Sequence, residues 1–158
     1  MKSKFLAGLL CLFVAAITVT SCEKDKAVLA SGSCSFTFDS TAYSANSSYG
    51  YVVDTNTIGK KALVIEAVTG NLKSHLAITV FFPDTLIAGD FTEAQGASIL
   101  FSKTLGQEAS YLSTTATIKI TSINSKYAEG TFVGKLNNGE TESPLTDGKF
   151  KVNISNEN

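Results

Sequence analysis

Hydrophobic and polar residues alternate with period two along most of this chain. Cys34, Phe36 and Phe38 fall on one side of such a row. Leu63, Ile65 and Ala67 form a second, with Glu66 pointing the other way. Leu76, Ile78, Val80 and Phe82 make the longest, opposite His75, Ala77 and Thr79. Ile118 and Ile120 alternate with Thr117, Lys119 and Thr121. Phe132 and Leu136 alternate with Thr131, Val133 and Lys135, and Phe150, Val152 and Ile154 with Lys149, Lys151 and Asn153. Successive strand side chains point to opposite faces, so each row predicts a strand buried on one side, as in antiparallel sheets with a wet outer face.

Turn chemistry separates the rows. Thr69-Gly70-Asn71 and Asn137-Asn138-Gly139 each link two rows, and the Asn-Gly pair of the second supplies the positive φ values of a tight hairpin. Pro83-Asp84 closes the longest row, because proline cannot donate into a central ladder. Asp147-Gly148 is expected to precede the last strand, and residues 102–114 fit a loop, a short strand or one helical turn. The pattern predicts an all-β domain over residues 34–155, with about eight or nine short strands in an antiparallel β-sandwich of immunoglobulin-like size. An up-and-down, lipocalin-like β-barrel is the alternative.

The first residues break this pattern. Lys2 and Lys4 precede an uncharged stretch over residues 5–19. As a helix it would span roughly 22 Å, short of the roughly 30 Å hydrocarbon core, which predicts a signal segment and not a stable membrane span. The segment closes on Val19-Thr20-Ser21-Cys22. Residues 23–26 (Glu-Lys-Asp-Lys) are charged, and residues 27–33 are small and suit a tether.

Composition narrows the function classes. All 13 basic residues are Lys, against 14 acids, for a net charge of −1. A near-neutral chain without Arg is a poor match to nucleic acid. Cys11 leaves with the signal, so if Cys22 is lipidated Cys34 is the sole remaining thiol, and its place beside Phe36 and Phe38 predicts a buried, inert group. His75 is the single histidine, read as a half-exposed strand residue. The run from Asp54 to Gly59 begins like a calcium loop, but Ile58 and Ile65 stand where oxygen ligands are needed, so a hairpin turn is expected. Glu140 and Glu142 fall in an expected hairpin loop, a weak platform for paired-carboxylate catalysis; Glu66, Asp90, Glu93 and Glu108 are scattered. No catalytic residues, metal or cofactor are expected. The binding candidates are Tyr49 and Tyr51, two apart on one strand face beside Asn46, Ser47 and Ser48, where tyrosine rings can stack on sugars or anchor a protein.

Residues 19–22 resemble a bacterial lipobox. The resemblance implies diacylglycerol on the Cys22 sulfur and cleavage before it, which removes residues 1–21 and leaves residues 22–33 as the lipidated Cys and tether. Loss of Lys2 and Lys4 moves the net charge from −1 to −3. Two or three acyl chains hold a protein at a membrane for practical purposes. The chain further resembles Bacteroidetes-type outer-membrane lipoproteins of unknown function, through the lipobox, Phe36-Thr37-Phe38, Gly130-Thr131-Phe132 and Asp147-Gly148-Lys149-Phe150. That resemblance implies a small β-sandwich on the cell envelope and brings no catalytic residues. The charged stretch after Cys22 looks like a surface-export signal, with Lys26 where a second acid is expected, so the periplasmic and surface faces both stay open. Asp39-Ser40-Thr41 and Asp84-Thr85-Leu86 resemble the O-glycan acceptor pattern of such proteins, implying Ser40 and Thr85 as acceptors. The expected function is a non-enzymatic envelope lipoprotein, anchored to the membrane by lipid and binding a protein or glycan partner. A carrier of small apolar ligands and a glycan-processing hydrolase are the alternatives.

Overall fold

The computed structural model describes residues 32–55, 59–104 and 110–155. The signal segment, Cys22 and most of the expected tether lie outside them. The chain folds as all-β, with ten strands among the described residues: β1 (Gly32–Phe38), β2 (Thr41–Ala45), β3 (Ser47–Thr55), β4 (Lys60–Val68), β5 (His75–Phe82), β6 (Gly89–Thr92), β7 (Ser98–Ser102), β8 (Ser110–Ile123), β9 (Tyr127–Asn137) and β10 (Glu142–Ser155). A 3-10 turn, Glu93–Gln95, joins β6 to β7. The first strand begins at Gly32, two residues before the expected boundary at Cys34.

Strand pairing forms a closed circuit, β3–β4–β5–β7–β8–β9–β10 and back to β3. Every pairing is antiparallel except β10 with β3, which is parallel at Ile154↔Gly50 and Ser155↔Tyr51. Upstream on the same edge, β10 carries β1, and β2 pairs outside β1. The edge of β8 is shared in the same way, with β7 at Ser110–Leu112 and β6 at Thr117–Ile120. The circuit is therefore ring-like: a layer of β3, β4, β5 and β7 joins at both edges to a layer of β2, β1, β10, β9, β8 and β6. This arrangement combines features of both expected architectures.

Sharing requires β8 and β10 to be long, and both run 14 residues. Register breaks between Ser113 and Thr115, between Ile120 and Ser122, and between Leu145 and Gly148 are where bulges bend them. The last corrects the expected placement of Asp147-Gly148, which lies inside β10 and not before it. Asp147 takes φ 56°, and a Cβ on Gly148 would overlap the carbonyl oxygen and ring of Phe132. A turn and a bulge make the same demand for positive φ and close backbone approach, so the sequence signal is common to both. Asn137-Asn138-Gly139 links β9 to β10 as expected, with Gly139 at φ 95°, whereas in the β4–β5 turn the positive φ falls on Leu72 and not on Gly70; residues 56–58 of the expected β3–β4 turn lie outside the described residues. Asn138 Oδ1 accepts from the Glu140 and Thr141 backbone N–H groups at 3.0 and 2.8 Å in the β9–β10 turn.

The core between the layers is built on rings. Phe101 of β7 meets Phe36, Phe38 and Tyr43 at centroid distances of 5.2, 5.0 and 5.0 Å, all edge-on, the geometry that aligns ring edge with ring face. Tyr111 packs edge-on against Phe38 at 5.0 Å, and the Lys103 ammonium lies over both rings at 5.1 and 5.2 Å. Ile78, Phe132 and Phe150 complete the same buried cluster.

Two predictions follow from this packing. Phe101→Ala is expected to lose about 3–5 kcal/mol in urea denaturation, because three ring contacts between the layers go at once. Gly148→Ala is expected to lose more than about 1 kcal/mol although it only adds a methyl group. Unchanged stability in Gly148→Ala would refute the steric account of the β10 bend.

Candidate functional site

The two layers present different outer faces. Outward positions of β8, β9 and β10 alternate with buried ones and are mostly exposed, as expected. Those of β4 and β5 are not. Val64, Glu66 and Val68, and His75, Ala77, Thr79 and Phe81, are all half-buried. The expected wet face is thus confined to one layer. Residues 62–65 (Ala-Leu-Val-Ile) are apolar at both parities, a signal that this layer is apolar outside as well as inside.

Tyr49 and Tyr51 stand on that second face, half-buried, with ring centroids 6.1 Å apart and planes 24° from parallel. In register, Tyr49 leads across to Glu66, Ala77, Leu100 and Leu112, and Tyr51 to Val64, Thr79 and Ser98. Leu100 and Leu112 are 38% and 55% exposed, large values for leucine on a sheet face. Two titratable groups on the face are Glu66 and His75, which hydrogen-bond to each other through Oε2 and Nε2 and are 18% and 26% exposed. The histidine expected as a bland strand residue is therefore half of a partly desolvated pair. Sequence alone missed it, because Glu66 and His75 meet only through the β4–β5 register. The face is a ring-bearing apolar platform in which Glu66 and His75 are hydrogen-bonded to each other.

The other candidates fall apart from one another. Glu140 is exposed in the β9–β10 turn. Glu142 opens β10, accepts from Thr114 Oγ1 at 2.7 Å and Lys135 Nζ at 3.2 Å, and these bonds hold its carboxyl below the ordinary range. Asp90 lies on the edge strand β6 and Glu93 in the 3-10 turn; Glu108 is outside the described residues. Asp54 pairs with Lys61 at 3.7 Å beside the β3–β4 hairpin, at a depression of about 330 Å³ that Asp84 also lines. Among the described residues, no three His, Cys, Asp or Glu side chains gather as metal ligands. Ser40 and Thr85 are both exposed, the first in the β1–β2 turn at φ 63° and the second in the bend after β5.

Cys34 is buried, 2% exposed, beside Phe36 and Phe38 as expected. Burial pushes its thiol up from 9.0 to about 12. No family model matches the chain, and neither a curated protein nor a solved structure matches it.

The thiol supplies a prediction with a definite sign. Its proton is held more tightly in the folded state, so its contribution to stability is complete below about pH 9 and is lost as pH rises toward about 12. Wild type should lose more stability than Cys34→Ala across that window, measured by denaturant midpoints. In the folded protein at neutral pH, Cys34 should react with an aromatic disulfide reagent only after unfolding. Prompt reaction would contradict its burial.

Proposed function

We propose that this chain is a cell-envelope lipoprotein of Bacteroidetes type, held at the outer membrane by lipid on Cys22. Its all-β body acts as a non-catalytic binding module for a protein or glycan partner. The observation that carries the binding part is the outer face of β3, β4, β5 and β7. A solvated sheet face normally alternates apolar-in with polar-out. This one sets Tyr49, Tyr51, Val64 and Leu100 outward and hydrogen-bonds Glu66 to His75. Tyrosine supplies large contact area with a polar tip, which suits a surface that is wet until a partner covers it. The ring contacts around Phe101 fill the space that a carrier of apolar ligands needs open, which favours surface binding over internal carriage. Ser40 and Thr85, on exposed turns, are the proposed O-glycan acceptors, checked by the intact mass of the native protein.

Two measurements test this reading. Metabolic labelling with palmitate should mark the wild type and not Cys22→Ala, and the variant should leave the membrane fraction. An unlabelled wild type would sink the anchoring claim. Hydroxyl-radical footprinting on intact cells should show Tyr49 and Tyr51 protected relative to Tyr127, which lies in the other layer, beyond any protection in the purified protein. Equal protection in both settings would remove the partner from the face.

A further inference from the structure

The second layer carries a different feature. On the outer side of β2, β1, β10, β9 and β8 a shallow trough of about 490 Å³ runs across the strands, a volume ordinary for a small-molecule site. One register row crosses it: Ser44, Ser35, Lys149, Thr131 and, just beyond the trough, Lys119. At about 4.8 Å per strand this row extends roughly 19 Å. The adjacent row sets Lys151 against Glu129, ion-paired at 3.5 Å. Lys149 and the hydroxyls of Ser35, Ser44 and Thr131 have no side-chain partner among the described residues. Among the residues that line the trough, Lys149 and Lys151 face one acid, Glu129, on a chain whose overall charge is −1. Asp90 flanks the far end, opposite Lys119.

We propose that this trough binds an acidic glycan, a short saccharide bearing carboxylates. Charge selects the class: among the described residues Lys149 and Lys119 are cations without an ion pair, beside the Lys151–Glu129 pair and the hydroxyls of Ser35, Ser44 and Thr131. The hydroxyls select a sugar over an acidic peptide. They both donate and accept, as sugar hydroxyls do. The floor belongs to paired strands whose backbone groups are already consumed in the ladder, so an extended peptide cannot add as a strand there. The exposed side chains of the trough include no aromatic ring, the platform that single-stranded nucleic acid uses. This site is separate from the tyrosine face, and its success or failure is independent of the function proposed for that face.

The test titrates purified full-length lipoprotein with oligogalacturonate, with the neutral oligogalactose of equal length, and with oligoglutamate. The expected result is saturable binding of oligogalacturonate that weakens as salt is raised, since exposed charge pairs are screened. The neutral sugar should bind about tenfold more weakly or not at all. Lys149→Gln, an exposed substitution, should reduce affinity for oligogalacturonate about tenfold with no change in thermal midpoint. Lys61→Gln in the other layer should change nothing, and Tyr49→Ser should leave trough binding intact. Absence of oligogalacturonate binding, equal binding by Lys149→Gln, or binding of oligoglutamate as tight as that of the uronate would each overturn the proposal, the last by making the trough a site for acidic peptides.

Discussion

Closing a small sheet on itself forces at least some strands to serve both layers, and a strand can do that only by bending. Here β8 and β10 bear that requirement. Each is long, each offers successive stretches of one edge to different neighbours, and each breaks register at a bulge. In β10 the break falls at Asp147 and Gly148, where left-handed backbone and a missing Cβ let the strand pass over Phe132. Gly130 meets the same constraint on β9, where a Cβ would lie 2.7 Å from the Phe150 ring. Aromatic residues and glycines are thus two halves of one packing solution: rings fill the space between the layers, and glycines let backbone approach the rings.

From that closure follows the asymmetry of the surface. The layer of β3, β4, β5 and β7 has few strands and makes short edge connections, and it presents apolar side chains on both sides. The larger layer alternates cleanly and carries the lysines and hydroxyls. The Glu66–His75 hydrogen bond inside the apolar face gives each polar group a partner within the face itself, so neither depends on water alone for one.

Much of the fold is legible in the residues. The row from Leu76 to Phe82, the burial of Cys34 and the shared face of Tyr49 and Tyr51 follow from period-two alternation, and the turn at Asn138-Gly139 from its turn residues; both are local properties. What escaped is non-local. Whether Asp147-Gly148 makes a turn or a bulge depends on what lies across from it, and Phe132 is distant in sequence. The Glu66–His75 contact and the row from Ser44 to Lys119 depend on register, which alternation constrains only to parity. The outer face of β5 alternates as expected but is only partly exposed, because Ala77 and Phe81 are polar-side positions by parity and apolar by chemistry.

The point at which the chain joins the body ties these features together. Gly32 starts β1 where the two layers meet, lying against the carbonyl oxygens of Ser48 in one layer and Lys151 in the other, with no room for a Cβ. Gly32 therefore lies at the seam, and not in the middle of either outer face. Under the proposed anchoring through Cys22, the body would carry both outer faces away from the seam where its first strand begins. With net charge of −3 once residues 1–21 are removed, it would also be repelled weakly by an anionic bilayer. Under the two binding proposals, a partner on the tyrosine face and an acidic saccharide in the trough would not compete, because no side chain belongs to both surfaces.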